Sequence, residues 1–386
     1  MVSNGHLPVT GRTLLDPAIV AYDKDVTARR HLTLYGITDP PLSREAFQPP
    51  LAYLVPGLGY RLLGPRRGLA WFRAFDSLLG VVLVLLAFLA ATRAFPDRPF
   101  AGPLAGLVAA CLPSVSLVTS TANNDAAAAV LAVGALALAS DIARRGGSVL
   151  RFAGLGALIG GSGLAKITGL AAAVPAVIAV LVAPQPRTAA LRTRRWHALA
   201  GVTGLAALIV TPWVARNLSV YGDLAGTKAF VVSYPGSRIG GPSLLLAGRP
   251  RLAGAQRFWP ELARSTVGVL RWSDLRLPAW AYWLAAAAAL AGLLAAVSWV
   301  WHASTADRRA AAVLASALPF GLVATAWFSL TVDWQPQGRY LIPGVLGVAA
   351  VVGASCGWRG FATAACVLLA LLGAGIATTA RTFGLP

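Results

Sequence analysis

Ten apolar runs follow one another along the chain, at 75–92, 101–119, 125–141, 150–165, 167–183, 197–214, 279–300, 310–330, 341–357 and 360–378. Each is long enough, or nearly so, to cross the ~30 Å hydrocarbon core of a bilayer as a helix. None carries an ionisable residue near its middle; Asp76, Asp141 and His197 sit at ends. The pattern predicts an all-α polytopic membrane protein with about ten transmembrane helices, since a helix satisfies its own backbone polar groups where no water is present.

The first 70 residues read differently. They are polar, with breaks at Pro8, Pro17, Pro40 and Pro41. Gln48-Pro49-Pro50 then forces an extended start to an apolar helix of roughly a dozen residues, too short to span. Its place is the membrane interface, which suits Tyr53 and Tyr60. Two regions result: residues 1–70, outside the bilayer and ending in the interfacial helix, and residues 71–386, the transmembrane domain, with an outer loop at about 215–278.

Composition agrees, with 57% hydrophobic and 12% charged residues and a mean hydropathy of +0.67. A net charge of +19 would suggest nucleic acid for a soluble chain, but its distribution points to membrane lipid, with no nucleic acid partner. If the run at 75–92 travels inward, the inner loops hold Arg93, Arg98, Arg144, Arg145, Arg151, Arg187, Arg192, Arg194, Arg195, Arg308, Arg309 and Arg359. The short outer loops then hold only Lys166 and Arg339. That asymmetry fits the positive-inside rule, and anionic inner-leaflet lipid is the expected partner of the arginines. Three Lys against thirty Arg suits a GC-rich bacterial genome. The same orientation puts residues 1–70 outside with no apolar helix before them, so a leading helix is expected upstream of Met1.

Cofactor chemistry finds little support. Cys111, Cys356 and Cys366 lie in or beside apolar runs, without disulfide or zinc spacing. The four histidines form no HExxH pair, and there is no Walker A loop. Gly154, Gly156 and Gly160 lack the spacing of a nucleotide fingerprint and are better read as close helix packing. No cofactor is expected, although loop carboxylates leave a weakly held divalent metal open.

Polar residues gather instead at the ends of the runs. Five clusters fall on the outer face as defined above: Asn123, Asn124 and Asp125; Lys166 in GLAKITGL; Arg216, Asn217, Tyr221 and Asp223 in PWVARNLSVYGD; Gln337, Arg339 and Tyr340 in DWQPQGRYLIP; and Glu45 with Gln48. Each has a plain explanation. Asn124 or Asp125 can cap a helix, Lys166 can snorkel, and Arg339 can sit among headgroups. Asn217-Leu218-Ser219 also matches a glycosylation sequon, a pattern common by chance. Two adjacent polar residues beyond one cap argue that the clusters face a shared polar site. The lack of midplane carboxylates counts against an ion-driven carrier.

Several of these stretches, in order, resemble the GT-C membrane glycosyltransferases, in particular glycosyltransferase family 39: QPPLAYL (48–54), ANNDAAA (122–128), GLAKITGL (163–170), PWVARNLSVYGD (212–223) and QGRYLIP (337–343). The resemblance implies a GT-C-like fold and transfer of a sugar from a polyprenyl-phosphate donor to a glycan, lipid or protein acceptor at the extracytoplasmic face of the cell membrane. It also implies basic residues that hold the lipid phosphate, here Arg339 as a bidentate grip and Lys166 as a second point charge. Asn123, Asn124 and Asp125 would bind sugar hydroxyls or brace the first loop. The family's acidic residue precedes a segment like NGHLPV, here residues 4–9, so that acid and the first helix are expected upstream of Met1. Among the remaining loop carboxylates, Asp23, Asp25 and Glu45, the last is the catalytic candidate, and the chain as written is expected to be truncated and inactive if none substitutes. The alternatives are a transporter or flippase of envelope precursors and a non-catalytic membrane protein.

Overall fold

The computed structural model describes residues 47–184, 190–226, 255–270, 275–331 and 334–383. Glu45, Asp23 and Asp25 lie outside the described residues. All ten apolar runs fall in helices: α1 (Leu51–Ala94), α2 (Ala101–Cys111), α3 (Pro113–Ser120), α4 (Asp125–Arg145), α5 (Val149–Ala165), α6 (Ala173–Val182, after a 3-10 helix at Ile167–Ala172), α7 (Ala190–Tyr221), α9 (Ala279–His302), α10 (Thr305–Thr331), α11 (Ile342–Ser355) and α12 (Trp358–Phe383). A further helix, α8 (Ala255–Gly268), and a two-stranded ribbon, Val269–Leu270 against Leu275–Arg276, belong to the long loop. Among the described residues, seven helices are long and apolar enough to span singly. The α2–α3 pair, bent by 61°, makes an eighth. The runs at 150–165 and 167–183 fold as shorter apolar helices.

The expected interfacial helix and the first long run share one helical stretch, broken at Gly64, whose φ of 75° and ψ of 176° a side chain would resist. Pro65 follows and donates no amide. The short piece folds back on the long one: Trp71 Nε1 donates to the Val55 carbonyl at 3.3 Å, and Gly68 lies against the Tyr60 backbone. Leu54, Leu58 and Leu62, at helical spacing, are left exposed on one face.

Helix α4 is the centre of the bundle. Small side chains at Ala126, Ala129 and Val133 pack into one core with α1, α2 and α11. Ala132, Ala135, Ala139 and Ala143 pack into a second with α5, α6 and α7. Close approach is built from glycine elsewhere too. A Cβ at Gly156 or Gly160 would stand 2.8 Å from Val202 O or from Ile209 Cβ, so these two join α5 to α7 as the sequence suggests. Gly154 makes only ordinary contact, with Leu138. All three cysteines are unpaired, and Cys366 is exposed on α12.

The C-terminal end of α4 is tied by charge. Arg144 pairs with Asp307 of α10 and donates to the Ala94 carbonyl at the end of α1. Both partners of the Arg144–Asp307 pair are largely buried, whereas Asp97, 3.9 Å from Arg144, is 89% exposed. Losing one side of a buried pair costs about 3–5 kcal/mol, but an exposed pair contributes about 0–1 kcal/mol. Asp307→Ala is therefore expected to lower the melting midpoint in detergent clearly and Asp97→Ala hardly at all. Equal midpoints for the two variants would refute the buried tie.

Candidate functional site

The opposite end of α4 carries the candidate site. Helix α3 ends at Ser120, and the chain turns through Thr121–Asn124 before α4 begins. Asn123 organises that turn. Its Oδ1 accepts the amides of Asp125 at 2.7 Å and Ala126 at 3.3 Å, and its Nδ2 donates to Val118 O and Thr121 Oγ1, both at 2.7 Å. The capping side chain is thus Asn123, not Asn124 or Asp125 as the sequence suggests. Asn124 occupies the N-cap position without a side-chain cap and is buried.

With the cap supplied by its neighbour, the Asp125 carboxylate turns inward. Its Oδ1 accepts from Lys166 Nζ at 2.6 Å, and its Oδ2 lies 3.2 Å from Arg339 Nη1. The first is a hydrogen-bonded ion pair; the second is an ion contact whose geometry falls short of a hydrogen bond. Lys166 ends α5 with an extended backbone, and its amide caps back to Ser162 O. It is 5% exposed, so it is paired inside rather than snorkelling.

Arg339 stands on the 3-10 helix Gly338–Leu341 that leads into α11. Its side chain is 29% exposed, against 6% for Asp125 and Lys166, which makes it the outward-facing member of the cluster. Tyr340 lies beneath both cations, its ring centroid 5.1 Å from Lys166 Nζ and 5.2 Å from the Arg339 guanidinium. The Tyr340 hydroxyl accepts from Arg339 Nη2 at 3.3 Å and donates to Gln335 Oε1 at 2.5 Å. Gln337 takes part through its backbone, its carbonyl accepting the Tyr340 amide at 3.3 Å.

Below the cluster lies a cavity of about 60 Å³ between α4, the 3-10 helix after Lys166, α10 and α11. Asp125, Thr168, Arg339 and Tyr340 supply its polar part; Ala128, Ala132, Ala172, Ala317, Gly321 and Gly344 line much of the rest. That volume holds a few waters. Arg339, the most exposed of the three charged residues, is the one that a ligand from outside meets first.

Other expected site residues are engaged elsewhere. Asn217 Nδ2 and Trp213 Nε1 both donate to the Phe47 carbonyl, at 3.1 and 3.0 Å. Arg216 donates to Asn217 Oδ1 at 2.7 Å and lies between the rings of Trp213 and Tyr221. Trp213 and Asn217 thus clamp the segment before α1 onto α7, and Arg216 and Tyr221 pack behind them. Asn217 is 1% exposed, which rules out glycosylation at its sequon in the folded chain. Gln48 follows the clamped Phe47; its Oε1 is buried without a hydrogen-bond partner among the described residues. Four residues on, Ala52 packs against Ala128 and Ala165, beside Asp125 and Lys166 in sequence.

Asp76 is a site neighbour that the sequence reading leaves at a helix end. It is 1% exposed, and its Oδ2 accepts the Asn123 amide at 3.0 Å, bracing the turn that aims Asp125. Its signal was available: a carboxylate at the start of a membrane run calls for a partner. Among the described residues, no three His, Cys, Asp or Glu side chains gather.

Residues 47–215, a little under half the chain, match the family described as dolichyl-phosphate-mannose-protein mannosyltransferase. No curated protein sequence matches the chain. Among solved structures, the archaeal oligosaccharyltransferase AglB from Archaeoglobus fulgidus, in complex with an inhibitory peptide and a dolichol-phosphate, aligns over 91% of this chain and 49% of its own, at 15% identity and a TM-score of 0.50. ArnT from Cupriavidus metallidurans in the apo state aligns over 92% of this chain and 58% of its own, at 17% identity and a TM-score of 0.48. The chain thus spans about half the length of these proteins. The matched segment holds three of the five motif stretches whole, with Asp125 and Lys166 among their residues, and the resemblance to the GT-C membrane glycosyltransferases is shown by this family match together with the fold.

Proposed function

We propose that this multi-pass membrane protein transfers a sugar from a polyprenyl-phosphate donor to an envelope acceptor at the extracytoplasmic face. The observation that carries the reading is the Lys166–Asp125–Arg339 cluster: side chains from α4, α5 and the turn before α11, far apart in sequence, meet at one end of the bundle. The matched family is named for a dolichyl-phosphate-linked sugar, and the oligosaccharyltransferase of like fold was solved with a dolichol-phosphate. The arginine asymmetry supports an orientation with this end outside.

The chemistry follows from charge. Breaking the bond between sugar and phosphate leaves negative charge on the phosphate, and a cation held in a low-dielectric site stabilises it as it develops. Arg339, outward-facing and planar, suits a two-oxygen grip on that phosphate. Asp125 keeps Lys166 and Arg339 within one carboxylate's width, so the positive charge is assembled before the donor arrives.

The test is transfer from a radiolabelled polyprenyl-phosphate sugar in proteoliposomes. The wild-type chain is expected to release labelled sugar to acceptor or water, and Arg339→Ala to lose about 100-fold or more in rate while remaining folded. Full activity in Arg339→Ala would remove the cluster from the site.

A further inference from the structure

We propose that Ser265, on α8 in the long loop, is a positioning residue for Arg339; the inference rests on the functional reading above. The Arg339 turn is a four-residue 3-10 helix with no side-chain cap of its own. The first amides of such a turn have no acceptor within it and need one from outside. Ser265 Oγ supplies it, accepting the Gly338 N–H at 2.8 Å. Its own proton lies within reach of the Pro336 carbonyl at 2.8 Å and the Leu262 carbonyl at 3.0 Å. One hydroxyl thus holds the chain on both sides of Gln337, just before the arginine. Ser265 performs an N-cap's task across 73 residues of chain, from a different helix.

The rest of α8 is built to keep that hydroxyl in place. Phe258 and Leu262 pack on Trp334 and Leu341, at either end of the turn. Trp334 Nε1 donates to Glu261 Oε2 at 3.1 Å. At its C-terminal end, the Thr266 carbonyl accepts from Ser114 Oγ of α3 at 2.6 Å, tying α8 to the transmembrane bundle. Gly338 sits so near that a Cβ there would stand 2.2 Å from Thr266 Cα. The loop helix is therefore part of the site's frame, acting on the reaction through Arg339.

The test uses the full chain in proteoliposomes with the radiolabelled polyprenyl-phosphate sugar. Ser265→Ala is expected to lower kcat about 10- to 100-fold, as a misplaced catalytic group does, with little change in melting midpoint. Ser265→Thr, which keeps the hydroxyl, is expected to recover most of the rate. Adding Ser265→Ala to Arg339→Ala is expected to change the residual rate no further. A wild-type kcat in Ser265→Ala, or a midpoint loss that accounts for its lower rate, overturns the inference. So does a further loss in the double variant. An active Arg339→Ala would instead defeat the underlying functional reading.

Discussion

Replacing Lys166 by methionine is expected to cost about 3 kcal/mol of stability and to abolish transfer. Methionine fills nearly the same space, so packing is kept and only the charge is lost. Asp125 is then a buried carboxylate, 6% exposed, whose Oδ1 has lost its 2.6 Å partner. Breaking one side of a buried pair costs about 3–5 kcal/mol; the low end applies because Arg339 still faces Oδ2 at 3.2 Å. The double variant Lys166→Met with Asp125→Leu removes both charges and is expected to recover most of the midpoint, since Arg339 is partly exposed and can turn outward. Activity is not expected to return with it. Midpoints read by fluorescence-detected size exclusion on heating decide the matter. An unchanged midpoint for the single variant would mean that the cluster does not hold the fold.

A second large effect is expected at the α10–α11 contact. A Cβ on Gly347 would stand 2.2 Å from the Leu314 carbonyl oxygen, and one on Gly344 would stand 2.5 Å from Leu318 Cα. In both places the obstacle is backbone, which cannot rotate aside. Gly347→Leu is therefore expected to force the helices apart and destabilise the chain by about 3 kcal/mol, the upper end for overpacking. Gly344→Ala is a milder wedge, but it lines the cavity beside Arg339. A wild-type melting midpoint for Gly347→Leu would show that the two helices are not in backbone contact.

The spanning helices were legible because a bilayer requires long apolar runs, and each of the ten runs is helical. Less legible was how they join. The Gly64-Pro65 pair marks a break, but nothing local tells that the short piece folds back until Trp71 meets Val55. At the site, Asp125, Lys166 and Arg339 were readable as polar residues at helix ends, and they meet. Arg216, Asn217 and Tyr221 satisfied the same criterion, yet Asn217 bonds to Phe47 and Arg216 packs on Tyr221, because position along a helix does not reveal which neighbour its face meets. The cap was misassigned for a similar reason: in a run of three candidate residues, the side chain that turns back is chosen by its surroundings, here Asp76 holding the Asn123 amide. Ser265 carried no signal of its own, as its partner lies in another part of the chain.

Helix α4 is tethered by charge at both extremities, to α5 and the Arg339 turn at one and to α10 at the other. Its 21 residues amount to about 30 Å, the thickness of an ordinary bilayer's hydrocarbon layer. Tilting it relative to its neighbours would strain these ion pairs. In thinner or thicker membranes, adjustment by tilting is therefore expected first of α9, whose flank of Trp283, Leu290, Leu294 and Trp301 is exposed.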